Sequence, residues 1–366
     1  MSKEYGEKSF NPAPFAVYRG TREFCSVNVW EIFSKKLPCQ IALVCYDSPK
    51  KIDEICLETG VPAAYIEDEL KVLVEAELLV CPVKDKYQTN FFILRKNALA
   101  QLKEQFATMY EKYTPAVISA YEKYLPEMKQ CDIFKYDAED KRYAWFFEDK
   151  VSNFDYSNLG ISEEHYMTLA DGVKGLIYAQ EELPLANTKG HAGTYSEKDK
   201  ITLHASAPGD YHYPRCEREL IWDAELNKDF SKVSALYNIY KGETKDSEIE
   251  IYAQFIEQGY VFKNGDKLIC DVAAHTEKSK KLFGKINDEL ANILDPLCKE
   301  IYDSISKVIV STMPLQLKQY VHGYTSMIIS FYAGIYFREA LYNKGFIKIP
   351  EDTDKTPVSC WLEEHR

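Results

Sequence analysis

The sequence predicts an α+β protein, predominantly helical, on three observations. Residues 28–97 read as helix, helix, tight turn, helix and β-hairpin in that order. A weaker echo of the same order recurs over residues 231–275. Each hairpin is followed by a long stretch of apolar residues at helical spacing, residues 98–129 after the first and 277–310 after the second.

The first series rests on local signals. Val29, Ile32 and Phe33 are helically spaced, and Ile41, Ala42, Val44 and Cys45 continue an apolar face after Pro38. Asp47-Ser48-Pro49 breaks the chain, and Ile52, Ile55 and Cys56 mark a short helix over residues 50–58. Thr59-Gly60 ends that helix as a glycine cap would, and Pro62 opens the next. Ile66, Leu70, Leu73 and Val74 then repeat at helical spacing. Residues 78–83 and 87–94 read as two strands around the polar turn Lys84-Asp85-Lys86. A short helix, a Thr-Gly turn, an amphipathic helix and a hairpin make a winged helix-turn-helix.

The segment "SPKKIDEICLETGVPAAYIEDELKVLVEAELLV", with the hairpin "KDKYQTNFFI", resembles the winged-helix regulators of the ArsR and MarR type. The resemblance covers roughly 70 residues of the chain. It implies a transcription regulator with double-stranded DNA as partner, a homodimer, and a large C-terminal region that senses a small-molecule effector or a transcription-machinery protein. The residues expected at DNA are Lys50, Lys51, Ala63, Ala64, Tyr65, Lys71, Lys84 and Lys86. Two small alanines permit close approach to a groove, Tyr65 can meet a thymine methyl or a phosphate, and the lysines can meet phosphates.

Charge argues on the other side. The chain carries a net −12, which opposes indiscriminate adhesion to nucleic acid. Residues 28–97 hold nine basic and eleven acidic side chains, and Glu67, Asp68 and Glu69 stand in the middle of the helix meant for the groove. Any contact with DNA is therefore local. The competing expectation is a protein-interaction module of the transcription machinery, with an acidic winged helix that binds no DNA.

The rest of the chain divides by pattern. Residues 1–27 read as an N-terminal arm, 98–130 as a connecting helix with Pro115 as a kink, and 131–230 as a mixed regulatory region. Within that region, 142–147 and 219–222 read as strands, 163–180 as a helix, and 190–214 as loop or strand. Residues 231–275 suggest a second, degenerate winged module with an Asn-Gly turn at Asn264-Gly265, and 276–366 a helical C-terminal region ending in a polar tail. Tyr178, Tyr195, Tyr211, Tyr213 and Trp222 are candidate walls of an effector pocket, with core packing the plainer alternative.

Other classes find little support. No nucleophile elbow, phosphate-binding glycine loop or His-Glu-x-x-His motif occurs, so no catalytic residue, enzyme activity or cofactor is expected. His204, His212 and Cys216 are too sparse to predict a metal centre. None of the ten cysteines forms a Cys-x-x-Cys pair and most sit in apolar runs, which suits a reducing compartment. Residues 1–10 are polar, and the longest apolar stretch, 327–337, is about half of what a bilayer requires. A cytoplasmic location without membrane contact is the expectation.

Overall fold

A computed structural model describes residues 16–21, 26–131, 162–181, 191–196, 201–206, 231–257, 259–346 and 360–365. They belong to a mixed α/β chain in which helices predominate and the sheets are small. The chain divides into two compact units, one drawn from residues 1–106, 155–184 and 298–331, the other from 107–154, 185–297 and 332–366.

In the first unit the helices form where capping and periodicity agree. Asn28 accepts the Glu31 N–H at 3.2 Å and starts α1 (Val29–Ile32). Helix α2 (Lys36–Val44) buries Cys39, Ile41 and Ala42. Helix α3 (Ile52–Thr59) buries Ile55, Cys56 and Thr59, and ends on Gly60, whose φ of 72° needs a residue without a Cβ. Pro62 then leads into α4 (Ala63–Glu75), which buries Ile66, Leu70 and Leu73 and ends where Glu77 turns left-handed. Strands β2 (Leu79–Val83) and β3 (Lys86–Thr89) make an antiparallel hairpin. Lys50 exchanges both backbone hydrogen bonds with Tyr87, at 2.9 and 2.8 Å, so the chain before α3 is clamped to the outer edge of β3.

Past the hairpin the chain does not continue as one strand through Leu94. It breaks at Asn90-Phe91, and β4 (Phe92–Leu94) joins a different sheet. That sheet also holds β1 (Ala16–Thr21), β5 (Met167–Thr168) and β6 (Lys174–Gln180). Strand β6 lies between β1, antiparallel to it, and β4, parallel to it. The Tyr324 hydroxyl, fully buried, accepts the Phe92 N–H at 3.3 Å and lies 3.0 Å from the Ile177 carbonyl, to which it donates, so it staples β4 to β6. Burial pushes this phenol far above its ordinary pKa, keeping it a neutral donor.

The second unit repeats this arrangement. Helix α5 (Lys96–Met128) follows β4; β7 (His191–Ser196), β8 (Ile201–Ser206), α6 (Ser231–Lys241) and α7 (Ile249–Glu257) come later. Next are the hairpin β9 (Val261–Asn264) and β10 (Lys267–Cys270), strand β11 (Ala273–His275) and helix α8 (Glu277–Thr312). Helix α9 (Val321–Asn343) and strand β12 (Cys360–Glu364) complete the chain. Strand β12 is parallel to β11 and antiparallel to β8, the same relation that β6 has to β4 and β1.

The correspondence extends to single residues. Gly242, with φ 78°, ends α6 as Gly60 ends α3, 182 positions earlier. Gly259 stands where Glu77 stands, again 182 apart, and Tyr260 N–H reaches the Phe255 carbonyl as Leu78 N–H reaches that of Leu73, each at 2.9 Å. Pro115 lies inside α5 and Pro296 inside α8, 181 apart. At the same separation Leu102 matches Phe283, Val117 matches Cys298 and Tyr121 matches Tyr302, all buried. The structure thus contains one helix-turn-helix-hairpin-strand-helix unit twice.

Several expectations from sequence change. Residues 16–21 of the presumed arm are strand β1. The helix expected over 163–180 is a 3-10 turn, Glu163–His165, followed by β5 and β6, because the run Gly-Leu-Ile-Tyr-Ala is a strand buried on both faces rather than a helical stripe. The polar tail contains β12, so the C-terminal region is not wholly helical. A 3-10 turn, Leu315–Tyr320, precedes α9. The strands expected at 142–147 and 219–222 lie outside the described residues.

Two glycines separate packing from propensity. A Cβ on Gly323 would sit 2.3 Å from the His165 carbonyl oxygen, whereas a Cβ on Gly284 in α8 meets nothing within 4 Å. Gly323→Ala is expected to destabilise by about 1–3 kcal/mol, and Gly284→Ala to stabilise by about 1 kcal/mol. Urea unfolding midpoints of the two variants check both signs.

Candidate nucleic-acid interface

The turn at Gly60 and the hydrophobic seam of α4 decide which side chains are left outside. With Ile66, Leu70 and Leu73 turned inward, Ala63, Ala64, Tyr65, Glu67, Asp68, Lys71 and Val72 are all exposed. Tyr65 is 64% exposed. The structure therefore leaves the groove-facing residues expected from sequence uncovered along one helix. Lys51 at the start of α3 and Lys84 in the hairpin turn are exposed, and Lys86 is half-buried.

Lys50 differs from the other lysines. Its ammonium is 2.7 Å from the Glu58 carboxylate, a hydrogen bond that holds its pKa above the ordinary lysine value. The residue contributes more through its backbone clamp to Tyr87 than as a free cation. Lys71 and Lys84 enter no ion pair among the described residues. Glu54 accepts the Lys51 N–H at 2.7 Å, and that bond, aided by Lys86, Lys50 and Lys51 nearby, holds its carboxyl below the usual range.

The same surface carries acids and apolar groups. Glu67 and Asp68 are exposed beside Lys71, while Glu69 is turned partly inward and meets Lys35 at 3.4 Å. Leu57 on α3 and Val83 on β2 are exposed as well. Sequence reasoning passed over both. Leu57 falls off the Ile52-Ile55-Cys56 stripe, which was signal enough; Val83 ends an apolar run whose alternation is blurred by Pro82.

Of the residues expected to wall an effector pocket, Tyr178 belongs to the first unit and Tyr195 to the second. Tyr178 is 1% exposed and stacks on Tyr18 with ring centroids 4.8 Å apart, at paired positions of β6 and β1. Its role there is packing. Tyr195 lies on β7 opposite Thr202, and Tyr211, Tyr213 and Trp222 lie outside the described residues. A cavity of about 490 Å³ lies in the second unit, between the turn joining α6 to α7 and strand β10, with Lys241, Thr244, Lys245, Asp246, Asp266 and Lys267 in its wall.

Among the described residues no group of three His, Cys, Asp or Glu is placed to hold a metal ion. Likewise, no described helix is long and apolar enough to cross a membrane. Comparison with known protein families, curated proteins and solved structures gives no match.

The hairpin offers a chemical handle on this surface. Cys81 on β2 is exposed, whereas Cys39 and Cys45 are buried and burial pushes both thiols up to about 12. Under native conditions maleimide is expected to label Cys81 well before Cys39 or Cys45, with peptide mapping by mass spectrometry as the readout. Equal labelling of Cys45 would contradict the packing of α2 against β3.

Proposed function

We propose that residues 28–97 form a winged helix-turn-helix and that the chain is a DNA-binding transcription regulator. Helix α4 would enter the major groove, and the β2–β3 hairpin would lie against the backbone. The observation that carries this reading is the uncovered face of α4, with Ala63, Ala64, Tyr65 and Lys71 exposed next to a hairpin tipped by Lys84 and Lys86. The Lys50–Tyr87 clamp supports it further, because it ties the start of the helical pair to the hairpin and so fixes one against the other. The remaining residues would respond to an effector or a partner protein and shift the balance between two states of different DNA affinity.

A second reading draws on the exposed Leu57, Tyr65 and Val72 beside Glu67 and Asp68. In it the same helix docks on a basic protein of the transcription machinery. Salt separates the two readings on DNA, since phosphate contacts release counterions. Gel shifts with genomic fragments at low and moderate salt are expected to show binding that weakens as salt rises. Lys84→Ala with Lys86→Ala is expected to flatten the log–log salt slope by about 2. Absence of salt-sensitive binding by the wild-type chain would discard the DNA reading and leave the protein-docking one.

A further inference from the structure

Resting on the DNA reading above, we infer that residues 231–275 form a second DNA-contacting surface, so that a single chain engages two segments of duplex and supplies what a homodimer would otherwise provide. The argument begins with the repeat. The turn glycine Gly242, the left-handed Gly259 and the two-residue hairpin turn Gly265-Asp266 occupy the places of Gly60, Glu77 and Lys84-Asp85. The backbone that would present α4 is therefore present a second time as the short 3-10 turn Asp246–Glu248 and α7.

The exposed residues on that second backbone are better suited to a groove in one respect. At positions matching Ala63, Ala64, Tyr65, Glu67, Asp68, Lys71 and Val72, the second copy exposes Lys245, Asp246, Ser247, Ile249, Glu250, Ala253 and Gln254. Two carboxylates remain, now Asp246 and Glu250, Lys71 has become Ala253 while Lys245 stands at the start, and an amide that can donate and accept, as an adenine edge requires, has replaced a valine. The hairpin keeps its cations. Lys267 opens the second strand of its hairpin just as Lys86 does, 181 positions earlier, and Lys263 precedes the turn. Both are exposed, and neither enters an ion pair among the described residues.

A separate observation points to a ligand at this place. The 490 Å³ cavity is bounded by Thr244, Lys245 and Lys267, with Lys241 behind them held to Glu364 at 2.6 Å. Leu268 also lines it. In the hairpin register Leu268 faces Lys263 one step beyond the pair that closes the two-residue turn, so its N–H and carbonyl are directed away from β9. The matching Tyr87 spends the same groups on Lys50. Asp246 and Asp266 also line the cavity and Lys245 lies 3.6 Å from Glu248, so what the site offers a backbone phosphate is Lys267, the Thr244 hydroxyl and the outward amide N–H of Leu268.

The test is a hydroxyl-radical footprint, with the number of bound chains measured by light scattering, on genomic fragments selected with the wild-type protein. Wild-type is expected to protect two separate segments per chain. Lys263→Glu with Lys267→Glu should lose one segment and weaken binding about tenfold, and Lys84→Glu with Lys86→Glu should lose the other. Circular dichroism and urea midpoints like those of wild-type would show that the exposed substitutions leave folding intact. An unchanged footprint for the Lys263/Lys267 variant, or two chains per footprint with one segment each, would overturn this inference and leave the DNA reading standing. No footprint for wild-type would remove both.

Discussion

The fold depends on two very short strands. β4 and β11 have three residues each, all buried, and each is hydrogen-bonded in parallel to a strand reached only after a long excursion of the chain. A parallel partner cannot be supplied by a tight turn, so a long connection is obligatory. Without that pairing the hairpin before each strand and the long helix after it would share no fixed point. In the first unit Tyr324 strengthens the joint by bonding to both strands from the side, and its burial ensures that the hydroxyl remains protonated.

Given this joint, the hairpins had room to diverge. The first runs from Leu79 to Thr89 and carries a register shift between Val80 and Val83; the second runs from Val261 to Cys270 and is regular. One inserted residue accounts for the change of offset from 182 to 181 between the helices before the hairpins and the strands after them. A bulge absorbs such an insertion locally, leaving Phe92 and Ala273 at equivalent places in their sheets. Where the first copy tolerates Glu77 at a φ of 55°, the second has Gly259, the residue that adopts this geometry without strain.

Much of this was legible in the residues. Helices α2 to α5, α6 to α8 and both hairpins follow from periodicity, caps and turn residues, and so did the suspicion of a repeat. What local signals could not give was pairing between distant strands. Leu176 to Ala179 reads equally as a buried strand or part of a buried helix, and the six residues of strand β1 are too short a run to stand out from their surroundings. Strand β12 reads as polar because Glu363 and Glu364 follow the buried Trp361 and Leu362. The exposed face of α4 was foreseen, since burying Ile66, Leu70 and Leu73 leaves no alternative. The cavity of the second unit was not, because it lies between a turn and a hairpin strand that are brought together by folding and not by adjacency in sequence.

The place of β12 has a bearing on how the second unit is made. It is an interior strand, between β11 and β8, yet its residues come about 85 positions after β11 in the chain. During synthesis β8 and β11 therefore emerge as neighbours lacking the strand that belongs between them, their pairing groups open to other partners. Closure of that sheet must wait until the residues of β12 are free to pair, and until then the open edges are available to chaperones and to aggregation.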